Sequence, residues 1–137
     1  MCEGSLLSER IHDYVAGLCA SFPDITEVWL IGSRANGTAL PESDWDLLAI
    51  ATPLVLESIK SNETLQVPNV DLLIVYDGDQ FTRPWASRHG GGSLSGWEWK
   101  PLGNEATYRA TKPLFRPDGV EEFNVRVFEG KAIRVWP

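Results

Sequence analysis

Three observations predict an α+β fold. Leu7, Ile11, Tyr14, Val15, Leu18 and Phe22 recur every three or four positions, the period of a helix with one buried face. Three short runs, 27–31, 44–52 and 70–76, are rich in branched and aromatic residues and stop at Gly32, Pro53 and Asp77, as strands do. Beyond Asp77 the helical period is gone, and short strand-like segments follow one another between Gly, Pro and Asn.

Taken in order, the periodic stretch gives an amphipathic helix over roughly 5–21, ended by Pro23-Asp24. Glu27 to Ile31 is a largely buried strand. The polar stretch from Ser33 to Ser43 holds Asn36-Gly37 and Pro41, which predicts a turn or one helical turn rather than a long element. Asp44 to Thr52 forms the second strand, and Pro53 to Ser61 a short helix with proline at its first position, where the missing N–H costs nothing. Val70 to Tyr76 is the third strand. Gly90-Gly91-Gly92-Ser93 lies in a loop, and Gly96 to Pro101, Ala106 to Lys112, Glu122 to Phe128 and Ala132 to Trp136 predict a β-meander. A chain of 137 residues leaves little room for a second core. The expected organisation is one domain over 1–137, with a core at 5–77 and a β-rich extension at 78–137.

The composition narrows the function classes. A hydrophobic share of 43% and a charged share of 23% are those of an ordinary globular protein. A formal charge of −7 repels phosphate polymers, so broad nucleic-acid binding is disfavoured while a local basic pocket is not. No apolar run approaches the roughly eighteen residues of a membrane-spanning helix, and no membrane partner is expected. The opening residues MCEGSLLSER lack the apolar core of a secretion signal. With only Cys2 and Cys19, the expectation is a cytoplasmic protein with reduced thiols.

The chemistry is concentrated in one constellation: Gly32-Ser33, then Asp44-Trp45-Asp46, with a further acid, Asp71, inside Asn69-Val70-Asp71-Leu72-Leu73-Ile74-Val75. Side chains alternate along a strand, so Asp44 and Asp46 project to one face and Trp45 to the other. Magnesium is a hard cation that needs one or two protein carboxylates plus the phosphates of its substrate, which such a pair suits. Asp71, from a neighbouring strand, supplies a third oxygen ligand or acts on an attacking hydroxyl. A small-residue pair just after a strand lets backbone N–H groups and the Ser33 hydroxyl approach phosphate oxygens. Arg34 and Lys60 are the nearest cations for a triphosphate.

The segment Leu30-Ile31-Gly32-Ser33-Arg34-Ala35-Asn36-Gly37 through Ser43-Asp44-Trp45-Asp46-Leu47-Leu48 resembles the signature of the polymerase-beta-like nucleotidyltransferase superfamily, and its spacing is similar to that of the minimal nucleotidyltransferases, including antitoxin members paired with a helical toxin. The resemblance covers about residues 5 to 77. It implies a nucleotidyltransferase-like mixed sheet flanked by helices, and transfer of a nucleoside monophosphate from an NTP, ATP first among the candidates, to an acceptor hydroxyl with release of pyrophosphate. On that basis Gly32, Ser33 and Arg34 contact the nucleotide, and Asp44, Asp46 and Asp71 are both the catalytic acids and the ligands of Mg2+ or Mn2+. After Tyr76 the pattern departs: a β-rich, Trp-containing tail stands where family members that modify small molecules or RNA often carry a helical acceptor domain. This leaves the acceptor open and invites a partner protein as acceptor or completing surface. A competing reading is a catalytically weak nucleotide-binding or antitoxin-like module that acts by binding its partner.

Blander assignments hold elsewhere. Asp44 and Asp46 taken alone are ordinary surface acids at a strand start, and Asp71 has a solvated strand end as its alternative. An unpaired acid in an apolar strand is costly to bury. Arg88-His89 reads as polar surface. Trp97 and Trp99 read as core or interface aromatics rather than a base-stacking platform. His12 lies off the apolar stripe, and Cys19 behaves as a small buried hydrophobe.

Overall fold

The computed structural model describes residues 7–85, 92–115 and 121–137. Cys2, Arg88 and His89 lie outside the described residues, as do the side chains of 110–115 and 121–128. The elements in chain order are α1 (Glu9–Ser21), β1 (Glu27–Ile31), α2 (Gly32–Asn36), β2 (Trp45–Ile50), α3 (Pro53–Lys60), a 3-10 turn (Glu63–Leu65), β3 (Val70–Val75), β4 (Gln80–Thr82), β5 (Gly92–Ser93), β6 (Lys100–Leu102), β7 (Glu105–Phe115) and β8 (Glu121–Trp136). This is the expected α+β class, a mixed sheet with few helices and a strand-rich C-terminal region. Among the described residues no helix is long and apolar enough to cross a membrane.

Local chemistry sets the helix ends. Ser8 caps α1, its side chain accepting from the Ile11 N–H at 3.3 Å, which satisfies one of the donors a helix start leaves open. Ile11, Val15, Leu18 and Cys19 form its buried stripe. Thr52 caps α3 by accepting from Val55 N–H at 3.2 Å, with Pro53 at the start and Val55, Leu56 and Ile59 buried. Tyr14 fastens α1 to the 3-10 turn through its hydroxyl, which donates to the Leu65 carbonyl at 2.8 Å. Burial pushes that phenol up to about 12, because the low-dielectric surroundings disfavour the phenolate.

The strands form one eight-stranded sheet in the order β5-β4-β3-β2-β1-β8-β7-β6. The pair β2–β3 is parallel, joined by the crossover through α3, and the other described pairs are antiparallel. The central strand β1 is buried on both sides at Val28, Trp29, Leu30 and Ile31, which explains its continuous apolar run. On one face, Val28, Leu30, Leu47, Ala49, Leu72 and Ile74 pack against α1 and α3. On the other, Trp29, Ile31, Leu48, Leu73 and Val75 pack with Phe81, Leu94 and Tyr108. Trp97 and Trp99 complete this cover.

The C-terminal region differs from the expectation in detail. The segments 122–128 and 132–136 belong to one long strand, β8, which Gly130 does not interrupt. The two tryptophans lie on a turn before β6 rather than within a strand. Trp97 stacks on Tyr108 at 5.0 Å between ring centres and leans on Phe81 at 4.7 Å. Trp99 meets Trp29 edge-on at 5.3 Å. Their π-faces are turned to the protein's own aromatic rings. β6, β7 and β8 do form a meander, and its last strand pairs with β1, so the tail is part of the main sheet. The short strand β4 carries too few apolar residues to announce itself in the sequence.

Candidate active site

Sheet register brings the motif residues together. β1 ends at Ile31 opposite Asp46 on β2, and Asp46 stands opposite Asp71 on the parallel strand β3. Paired residues on neighbouring strands point the same way and lie about 4.8 Å apart. Asp46 and Asp71 therefore sit side by side, on the face that carries Leu48 and Leu73. Gly32 follows Ile31 with φ +72°, and a Cβ there would overlap Asp46 Oδ2. The glycine thus serves two purposes: it admits a left-handed backbone at the strand exit, and it leaves space for the Asp46 carboxylate. Gly37, with φ +76°, ends α2 after a single turn.

Two side chains from outside the motif complete the row. Arg83, just past β4, holds Asp71 with both arms of its guanidinium: Nε donates to Oδ1 and Nη2 to Oδ2, each at 2.7 Å. The hydrogen-bonded Asp71 carboxylate, and then the nearby Asp46, push the Arg83 pKa further above its ordinary value. At the other end, Tyr108 on β7 reaches over β8 to accept a hydrogen bond from the Gly32 N–H at 3.0 Å. The crossing is possible because β8 has Gly130 beneath the ring, where a Cβ would fall 2.5 Å from the hydroxyl oxygen. Burial foremost, and also the Asp46 charge, raise the Tyr108 pKa. The resulting row runs Tyr108, Gly32, Asp46, Asp71, Arg83.

The other sequence-derived candidates take different places. Asp44 is exposed in the loop before β2, and Ser33 is half-buried in the first turn of α2. Arg34 lies over the Trp45 ring at 4.3 Å, and its Nη2 donates to the carbonyls of Pro41 at 3.1 Å and Ser43 at 2.9 Å. In this arrangement its guanidinium braces the loop that delivers Asp44. Lys60 is exposed on α3, 3.4 Å from Glu57, on a helix that covers the opposite face from Asp46. His12 is exposed beside Asp13, and Cys19 is buried as a free thiol, pushed by burial up to about 11.

Sequence reading passed over Arg83 and Tyr108. For Arg83 a signal exists: Asp77-Gly78 is hairpin-turn chemistry, and continuing the Ile74–Thr82 register sets position 83 opposite Leu73, on Asp71's face. For Tyr108 no local signal exists, because its partner is 76 residues away.

The carboxylates present fit a divalent cation in part. Asp46 on β2 and Asp44 in the loop before it carry hard oxygen donors, and magnesium would need no more than one or two such carboxylates from a protein. Asp71 does not join them as it stands, because Arg83 takes both of its oxygens. Among the described residues no three His, Cys, Asp or Glu are grouped so as to hold a metal ion.

At the exit of β1 a positive-φ glycine thus stands beside an in-register pair of carboxylates on a mixed sheet. The sequence profile of the nucleotidyltransferase domain matches residues 13–113, and the chain belongs to that family. The match spans Arg83 and Tyr108 as well as the motif. The family's chemistry is nucleotidyl transfer, and its members generally use divalent metals. A crystal structure from Sulfolobus solfataricus, provisionally described as that of a nucleotidyltransferase, is 28% identical to this chain. The likeness covers 50% of this chain and 65% of the other, at a TM-score of 0.42, an overlap too loose to transfer geometry. A search of the curated proteins finds no match.

Proposed function

We propose that this protein moves a nucleoside monophosphate from an NTP, ATP first among the candidates, to an acceptor hydroxyl and releases pyrophosphate. The observation that carries the reading is the in-register placement of Asp46 and Asp71 beside the Gly32 turn. The Ser33 hydroxyl and the N–H groups of the first turn of α2 receive phosphate oxygens; the Gly32 N–H is already engaged by Tyr108, so donation falls to the residues that follow. Asp44 and Asp46 would hold Mg2+ or Mn2+, which when bound would offset the charge of the triphosphate. Asp71, when its oxygens are not held by Arg83, contributes one oxygen toward the cation and accepts the proton of the attacking hydroxyl on the other. The hydroxyl oxygen bonds to the α-phosphorus, the bond from that phosphorus to the β-bridging oxygen breaks, and pyrophosphate departs. Arg34 holds the Asp44 loop to Trp45, a positioning role.

The test combines each α-labelled NTP with Mg2+ or Mn2+ and candidate hydroxyl acceptors, the protein's own serines, threonines and tyrosines included. Pyrophosphate and labelled product are then measured. Asp44→Asn and Asp46→Asn are expected to lower turnover at least about a hundredfold, since even indirect contacts to a metal are commonly worth ten- to a hundredfold. Metal-dependent nucleotide binding that is unchanged in both variants would remove the assignment.

A further inference from the structure

The Arg83 guanidinium lies against the third acid of the motif. It takes both Asp71 oxygens at 2.7 Å, and Asp46 is the in-register neighbour of that carboxylate. The two partners are 30% and 28% exposed, so the pair is partly shielded from water and holds more firmly than a surface ion pair. A guanidinium does not lose its proton in any ordinary pH range. Loss of the arginine's proton therefore does not end the contact, whereas movement of its side chain does, and Arg83 has a long, flexible stem just past a three-residue strand.

We infer that Arg83 is a built-in counter-cation of this site: while it holds Asp71 it competes with the divalent metal for that carboxylate, and metal with nucleotide engages fully only when the guanidinium lets go. Its release also places a planar, permanently charged donor beside the position of the triphosphate, whose oxygens a guanidinium can take with two parallel bonds. The inference rests on the reading that Asp44 and Asp46 bind a cation.

The experiment is a direct titration of the whole protein with Mn2+, read by the loss of the free-ion electron paramagnetic resonance signal, with and without ATP, each against a protein-free titration because ATP itself binds Mn2+. Arg83→Gln is expected to bind Mn2+ in the absence of ATP about tenfold more tightly than the native chain, the factor that corresponds to about 1.4 kcal/mol. Arg83→Lys should fall between them, because an ammonium keeps the charge and loses the fork. Adding Asp71→Asn to Arg83→Gln should abolish the gain. A purely structural arginine predicts the opposite, weaker Mn2+ binding together with a lower melting temperature.

Equal or weaker binding by a folded Arg83→Gln overturns the counter-cation role; if that variant does not fold, Arg83→Lys decides on the same criterion. The two readings fail differently. Native Mn2+ binding that depends on Asp46 but does not rise on loss of Arg83 removes only this inference. Absence of Mn2+ binding in every variant, with ATP present, removes the metal-site reading and this inference with it.

Discussion

Gly32 shows how one residue joins backbone geometry to chemistry. Its φ of +72° and the overlap any Cβ would have with Asp46 Oδ2 mean that Gly32→Ala strains the turn and displaces the carboxylate together. The expected loss is about 2 kcal/mol of stability in urea unfolding, accompanied by loss of metal-dependent nucleotide binding. Asp46→Asn, which keeps the shape, should lose the binding with little change in unfolding midpoint. Tyr14 makes a separate prediction in alkali. Its folded pKa, raised to about 12 by burial, lies above the roughly 10 of an unfolded phenol. The stability it contributes is therefore complete below about pH 10 and is lost as pH rises through the folded value. Melting temperatures measured from pH 8 to 12 should fall more steeply in the native chain than in Tyr14→Phe. Equal slopes would place the alkaline sensitivity elsewhere.

Among the elements, β8 has the largest consequence for the site. It pairs with β1 on one side and β7 on the other, and its Gly130 is the gap through which Tyr108 reaches the Gly32 N–H. Asn36, at the end of α2, accepts the Lys131 N–H at 2.8 Å, a second tie between this strand and the motif. Gly130→Ala places a methyl group against a ring held at its hydroxyl and stacked on Trp97. Overpacking of this kind costs about 1–3 kcal/mol. In a Tyr108→Ala background the same substitution should cost far less, and a double-mutant cycle by denaturant unfolding should show coupling of about 1 kcal/mol or more. Additive costs would mean that the two positions do not meet.

For the molecule as a whole, the order of strands decides what can be removed. The segment read as an extension at 78–137 includes β8, which covers the hydrogen-bonding edge of the doubly buried β1. Truncation after Gly103 removes β7 and β8, strips that edge, and exposes Trp29 and Ile31, which pack with Ala106, Tyr108 and Ala132. An exposed apolar edge strand is prone to pairing with other chains. The truncated chain is expected to be insoluble or unfolded by circular dichroism, whereas a soluble, cooperatively melting product would show that the elements before Gly103 stand without β7 and β8.

The sequence alone determined the local and periodic features. These are a helix over roughly 5–21 and another over 53–61, strands at 27–31, 44–52 and 70–76, and a turn or single helical turn after Gly32, which the structure places at 9–21, 53–60, 27–31, 45–50, 70–75 and 32–36. Each follows from side-chain periodicity or turn chemistry within a dozen residues. Tertiary structure decided what depends on register between distant segments. It set Asp46 beside Asp71, turned Arg83 onto that acid, laid Arg34 against Trp45, merged two apparent strands into β8 across Gly130, and threaded Tyr108 to Gly32 from 76 residues away. Strand pairing and long side chains act through space, and a one-residue slip in register would have sent the same carboxylates to the opposite face.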